Sequence, residues 1–279
     1  MKKTIAIVLT LVLCLGLFAG CGKKAEDKVI TVAASPTPHA EILKVAADVL
    51  AKDGWTLKIT EYADYVVPNN VVEDGEIDAN YFQHQPYLNA YNETVPEDEQ
   101  LVAAIGVHYE PYAIYSNKIT DLADLPDGAI VSVTNDPSNE ARALLLLESA
   151  GLITLGEDVT PYDALTKEDI VENPKNLEIK EIDANQLPST LDDVDISVIN
   201  GNFALDAGLS PAEDAIFIEP ADGEAASIYA NYVVVRPGDV ESDWLKALEQ
   251  CLCSEKVADY MLENEAFKGG VIPFFSYGE

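Results

Sequence analysis

The feature that most constrains this chain is alternation. From Val29 onward, short apolar runs alternate with segments whose apolar residues recur every three or four positions. The first pattern makes strands and the second makes helices. Strand and helix in regular alternation imply an α/β chain with parallel sheets and helices on their faces, because a crossover helix is what returns a chain parallel to itself. Val29–Ser35, Thr56–Tyr62 and Ile77–Phe82 are predicted strands, and His39–Lys52 a helix with Ile42, Leu43, Val45, Ala46 and Val49 on one face. Pro68–Asp74 and Pro86–Asn92 read as short helices, and Leu101–Val107 and Tyr112–Ser116 as strands around Glu110-Pro111. A second series follows. It has helices at Asp121–Leu125 and Asn139–Ala150, and strands at Ala129–Val133, Leu177–Ile182, Ile196–Ile199 and Ala215–Ile218. Leu187–Leu191 reads as a helical turn, Glu157–Asn176 as a surface excursion, Tyr232–Arg236 as a returning strand and Ser242–Asn264 as one long final helix. Two α/β units result, and periodicity does not reveal where the chain crosses between them.

The beginning of the chain is of another kind. Lys2 and Lys3 precede the apolar run Ile5–Ala19, which has secretory length and is too short to favour a spanning helix. It ends in Leu17-Phe18-Ala19-Gly20-Cys21, which resembles the lipobox of bacterial lipoproteins. The resemblance implies cleavage before Cys21, a diacylglycerol on its thiol, a leader over 1–20 and a polar tether over 21–28. The leader carries two lysines and no acids, so its removal takes the formal charge from −32 to −34. A field of that sign disfavours nucleic acid and anionic lipid as partners. Cys251 and Cys253 fall on roughly opposite faces of the expected final helix, so they are expected as ordinary packed thiols, neither bridged nor metal-bound.

Three segments carry chemistry. In Thr134-Asn135-Asp136-Pro137-Ser138-Asn139-Glu140-Ala141-Arg142, an acid and a proline before an apolar run mark a helix start, with Asp136 as N-cap. Arg142 then lies near the positive end of the helix dipole, with no carboxylate at i±3 or i±4 to relieve it. Either a bound anion or a distant Asp or Glu must answer that charge. In the second segment, Ile77 to Tyr87, a strand feeds a helix start, which is where open α/β sheets bind ligands. Phe82 and Tyr87 offer apolar walls and His84 a polar handle, while Tyr62 and Tyr65 follow the preceding strand. The third is Ile199-Asn200-Gly201-Asn202, a turn whose glycine permits close backbone approach and whose amides both donate and accept. Asn231, ahead of Tyr232–Arg236, offers the same chemistry.

Phe82-Gln83-His84-Gln85-Pro86-Tyr87-Leu88, the Asn135–Leu147 run and Ile199-Asn200-Gly201-Asn202 together resemble the NlpA/MetQ family of methionine-binding lipoproteins, over about Val29 to Pro273. The resemblance implies a type 2 periplasmic-binding-protein fold, with two α/β lobes, two crossing segments near Tyr109–Ser116 and Ala225–Tyr232, and a ligand cleft between the lobes. Lobe 1 would comprise 29–112 plus 231–279, and lobe 2 113–230. By the same resemblance the ligand-binding residues are Tyr65, Phe82, His84, Tyr87, Arg142, Asn200 and Asn231. Arg142 would hold a carboxylate, Asn200 and Asn231 the α-amino and carboxylate groups, and Tyr65, Phe82 and Tyr87 the side chain, with His84 at its edge. The implied function is capture of L-methionine, or a related small amino acid or methionine-containing dipeptide, for the permease and ATPase of an ABC importer. The protein would act as a monomer on the outer face of the cell membrane, lipid-anchored, with no cofactor.

Other classes fit less well. The chain lacks a Gly-x-Ser-x-Gly elbow, a phosphate-binding Gly-x4-Gly-Lys loop and a His-Glu-x-x-His helix, so no enzyme is expected. A metal-binding lipoprotein would have to build its site from His39, His84 and His108, the only histidines present.

Overall fold

The computed structural model describes residues 28–277 except Asp158, Ala221 and Asp222. The expected leader, Cys21 and the tether through Asp27 lie outside the described residues.

The strands form two sheets. The first contains β1 (Val29–Ala34), β2 (Thr56–Glu61), β3 (Ala79–His84), β4 (Val102–Tyr109), β10 (Ala230–Val235) and β11 (Ile272–Pro273), in the order β11-β4-β10-β3-β1-β2. The second contains β5 (Ala113–Tyr115), β6 (Ile130–Thr134), β7 (Glu178–Ile182), β8 (Ile196–Ile199) and β9 (Ala215–Ile218), in the order β7-β6-β8-β5-β9. The chain leaves the first sheet after Tyr109 and returns to it at Ala230.

Each sheet is parallel only in part. The trios β2-β1-β3 and β7-β6-β8 are parallel, as the alternation leads one to expect. β10 runs antiparallel to β3 and β4, and β5 antiparallel to β8 and β9. These reversed strands flank the two crossings, where the chain enters a sheet from the neighbouring one. β3 and β8 are buried along their whole length; β8 accordingly reads as a nearly continuous apolar run, whereas β3 carries Asn80 and Gln83, which are satisfied inside by hydrogen bonds with Asn69.

Helices cover both faces of each sheet. α1 (Glu41–Leu50), α7 (Asp243–Leu252) and α8 (Glu255–Glu263) pack Ile42, Leu43, Leu248, Leu252 and Met261 against Ile30, Val32, Tyr81 and Val233. α2 (Val67–Glu73) and α3 (Gln85–Asn92) bring Val72 and Leu88 onto Ala33 and Val234 on the opposite face. In the second lobe α4 (Pro137–Ser149) lays Ala141, Leu144 and Leu147 on Val131, Val133 and Val198. α5 (Gly201–Asp206) lays Phe203 and Ala204 beside Tyr115, Leu187 and Ile199. Leu144 and Leu147 are fully buried, so truncating either to alanine costs about 2–5 kcal/mol.

The final helix departs from expectation by breaking in two. Cys253 leaves helical geometry at ψ 31° and Ser254 is extended at φ −92°, ψ 154°, opening α8 as its N-cap. Serine favours that position, and its hydroxyl turns back to donate to the Cys251 carbonyl at 2.7 Å. Cys251 and Cys253 are free thiols. A further helix, α6 (Gly223–Tyr229), fills the return crossing, and Asn200-Gly201-Asn202 opens α5 instead of a plain turn.

Candidate ligand site between the lobes

The ends of β3, β4 and β8, the start of β10 and the first turns of α4 and α5 converge on one cavity. All seven residues singled out from the sequence line it: Tyr65, Phe82, His84, Tyr87, Arg142, Asn200 and Asn231. Gln83, Glu110, Asn139, Gly201 and Asn202 line it as well.

His84 closes β3 and caps α3. Its Nδ1 accepts the Tyr87 N–H at 3.2 Å, so Nε2 carries the proton and donates to Asn139 Oδ1 at 3.1 Å. Burial, then the nearby Arg142 charge, lowers the ring's pKa to about 3, so it is neutral at ordinary pH. Asn139 sits in the first turn of α4, where Asp136 caps the helix by accepting the Asn139 N–H at 3.0 Å. Asn139 Oδ1 also accepts Asn200 Nδ2–H at 2.9 Å, and Tyr112 donates to Asn200 Oδ1 at 3.1 Å. A hydrogen-bonded line therefore runs from the first lobe into the second. Tyr65 adds another crossing, donating its hydroxyl to Asn202 Oδ1 at 2.5 Å.

Tyr65, Phe82 and Tyr87 form the apolar wall. Their ring centroids lie 5.6–5.7 Å apart in tilted and edge-on pairs, and Phe203 meets Tyr65 from the second lobe at 5.0 Å. Tyr87 Oη donates to the Tyr65 carbonyl at 2.9 Å, fixing both rings.

The Arg142 charge is answered by the protein. Nε donates to Glu219 Oε1 at 3.0 Å, and Nη2 to Glu219 Oε2 at 2.5 Å and to the Glu110 carbonyl at 2.9 Å. The guanidinium also stacks on Tyr229 at 4.0 Å and Tyr112 at 4.8 Å. Burial alone would lower its pKa, but Glu219 outweighs burial and holds it above the usual value. Burial likewise pushes Glu219 up, and Arg142, with Tyr109, pulls it below the usual carboxylate range. The helix-dipole conflict is thus resolved by a carboxylate from β9's end, with no bound anion required. Arg142 still lines the cavity, and its Nη1 makes no hydrogen bond among the described residues.

Beneath the cavity lies a buried polar network. Glu110 accepts from His108 Nε2 at 2.7 Å, Tyr81 Oη bonds His108 Nδ1, and His39 Nε2 lies 3.0 Å from Asn231 Oδ1 and 3.6 Å from Glu110 Oε1. Burial lowers His39 to about 4 and His108 to about 3, so both rings are neutral, and burial raises Glu110. Glu110 is packed against Gly201, where a Cβ would stand 2.7 Å from its Cβ and Oε2.

Sequence reading missed Glu110, Glu219, His39 and Asn139 as members of this site. Two of them did leave a signal: Glu110-Pro111 and Glu219-Pro220 are acid–proline pairs just past strand ends, the positions that face a cleft in open sheets.

Two α/β lobes, joined twice and sharing a buried cavity of amides, opposite charges and stacked rings, define a two-lobed solute-binding protein. The family model for NlpA lipoprotein matches residues 30–275. The chain is 41% identical to a methionine-binding lipoprotein MetQ of Bacillus subtilis, across 98% of this chain and 99% of that one. It is 40% identical to a D-methionine-binding lipoprotein MetQ of Escherichia coli, across 97% of each. Among solved structures, a nutrient-binding protein from Burkholderia cenocepacia bound to methionine matches with a TM-score of 0.83 and 42% identity, across 88% of this chain and all of that one. The chain belongs to the NlpA lipoprotein family, a family of binding proteins and not of enzymes. No helix among the described residues is long and apolar enough to cross a membrane.

Proposed function

We propose that this chain captures L-methionine outside the cytoplasmic membrane and hands it to the permease and ATPase of an ABC importer. In this reading it acts as a monomer held at the membrane by lipid on Cys21. The carrying observation is that one cavity holds unused donors, an acceptor without a permanent cationic partner, and an aromatic wall. Arg142 Nη1 and the Asn231 amide face the ligand carboxylate. Glu110 and Asn200 Oδ1 take the ammonium. Tyr65, Phe82 and Tyr87 enclose the side chain, with His84 at its edge, and a thioether near a ring edge gains about 0.3–1.5 kcal/mol per contact. Lobe 1 is 29–112 plus 231–279 and lobe 2 is 113–230, and they close on the ligand about the two crossings.

The decisive experiment is mass spectrometry of small molecules released when the purified protein is denatured, followed by calorimetry with L- and D-methionine and other amino acids. L-Methionine should be released and should bind, and Arg142→Ala should abolish binding. Heat with a different amino acid and none with methionine removes the ligand assignment. A methionine-containing dipeptide is the second reading. A neighbouring cavity shares Tyr65 and Tyr87 as a wall and is edged by Asp64, Asp136 and Asp183, so the space continues beyond the aromatic wall.

A further inference from the structure

We infer that His39 is a positioning residue. It fixes which way the Asn231 carboxamide faces, and thereby makes the cleft prefer a carboxylate to a carboxamide. The inference rests on reading the cavity as an amino-acid site.

An asparagine amide is nearly symmetric in shape, so a pocket that merely fits Asn231 would accept it flipped, presenting an acceptor where a donor is needed. Only a partner of fixed polarity decides the matter. Asn231 begins β10, between His84 on β3 and His108 on β4, and its Oδ1 lies 3.0 Å from His39 Nε2. Glu110 Oε1, at 3.6 Å, is the other polar atom facing that nitrogen. An amide oxygen only accepts, so Nε2 carries the proton in this contact. Nε2–H therefore points at Asn231 Oδ1. The Nδ2 amide, which has no hydrogen bond among the described residues, is turned to the cavity with two N–H donors.

The ring itself is held. His39 is 1% exposed and packs edge-on against Tyr81, with centroids 4.7 Å apart, and against His108 at 4.9 Å. His108 is locked in turn between Tyr81 Oη and Glu110. The same His39, His108 and Glu110 bring candidate metal-ligand atoms within 4.8 Å of one another. The two Nε2 atoms are already engaged, that of His39 with Asn231 and that of His108 with Glu110, so the donor set suits a hydrogen-bonded strut better than a metal.

The test compares Kd for L-methionine and L-methioninamide in wild type and His39→Leu. Methioninamide carries an extra positive charge, which this acidic protein attracts, but that effect cancels when the ratio of the two Kd values is compared between variants. His39→Leu should shrink the preference for methionine by about tenfold or more, the worth of a hydrogen bond to a charged group. Equal weakening of both ligands, with an unchanged ratio, would mean that His39 merely packs and would overturn the inference. Imidazole 15N NMR of the wild type tests the same point without a variant: a proton on Nε2 is required, and a proton on Nδ1, or a metal bound at Nε2 in the purified protein, sinks it. Failure of wild type to bind any amino acid would remove the underlying functional reading instead, and the NMR result would still decide the tautomer.

Discussion

Arg142 and Glu219 lie 77 residues apart in sequence, and their side chains are 6% and 10% exposed. Removing either partner of such a pair leaves the other charged, buried and only partly compensated, which costs about 3–5 kcal/mol. In Arg142→Met, Glu219 keeps the Tyr109 hydroxyl at 2.5 Å and the Tyr112 N–H at 3.3 Å, so the loss should fall near the lower end. In Glu219→Gln, Arg142 keeps one carbonyl and the Tyr229 face, neither of which carries a full negative charge, so the loss should be at least as large. At about 2–4 °C per kcal/mol for a protein of this size, each single variant should melt about 6–20 °C below wild type. The double variant buries no unpaired charge and should recover part of that. A coupling energy of about 2 kcal/mol or more is expected from the cycle. The assay is scanning calorimetry on ligand-free protein, because a bound ligand would mask the change by mass action. Single variants that melt within about 2 °C of wild type, or losses that simply add, would refute the view that this pair is the lobe's buried charge lock.

Other consequences follow from the same site. Because His84 falls to about 3 when folded, against 6.5 unfolded, the unfolded chain binds its proton first as pH drops. The contribution of His84 is complete above pH 6.5 and is lost as pH falls from there toward 3. Denaturant unfolding should show His84→Gln losing about 1.3 kcal/mol less than wild type between pH 7.5 and 5.5. Glu110 is raised by burial, so an arriving ammonium should lower its pKa and expel a proton. Calorimetry in buffers of different ionisation enthalpy should detect that release, affinity should climb with pH above the usual carboxylate range, and Glu110→Gln should abolish both effects. Gly201→Ala would drive a Cβ to 2.7 Å from Glu110 Cβ, an atom with little freedom to retreat. Methionine affinity should fall by about tenfold or more, while the circular-dichroism spectrum stays that of wild type.

How much of this was legible beforehand depended on the range of the signal. The start of α4 is written in adjacent letters: Asp136 caps, Pro137 follows, and the unfavourable place of Arg142 on the dipole follows from counting residues. The cavity residues on β3 and α3 sit beside their own turn signals in the same way. Glu219 does not. It reaches Arg142 only because β9 pairs with β5, and β5 with β8, across the second sheet, and no local rule predicts that pairing. His39 and Glu110 likewise meet through the first sheet's strand order. The break at Cys253–Ser254 was missed because the apolar spacing of α7 and α8 runs on through it. Serine's preference for a cap is weak beside that pattern until tertiary packing favours the bend.

The charge balance of the cleft makes a last, sharper demand. With a formal net charge of −32, the protein's long-range field neither attracts nor repels a zwitterion, so selection must come from groups within a few ångströms of it. Glu219 cancels the Arg142 charge and leaves Nη1 as a directed donor, not a free cation. Glu110 is relieved less: the Arg142 charge and the Asn202 N–H only partly offset its burial, and its neighbours His39 and His108 are neutral rings, lowered to about 4 and about 3. The cavity is therefore matched to an incoming cation more strictly than to an incoming anion. Blocking the amine should cost more affinity than blocking the acid, giving the order methionine, then methioninamide, then N-acetylmethionine. The measurement belongs at about 1 M salt, where a Debye length of roughly 3 Å removes the protein's general attraction for cations and leaves the local pairs in place. If N-acetylmethionine then binds more tightly than methioninamide, Glu110 is not the group that reads the ammonium, and the cavity's polarity runs the other way.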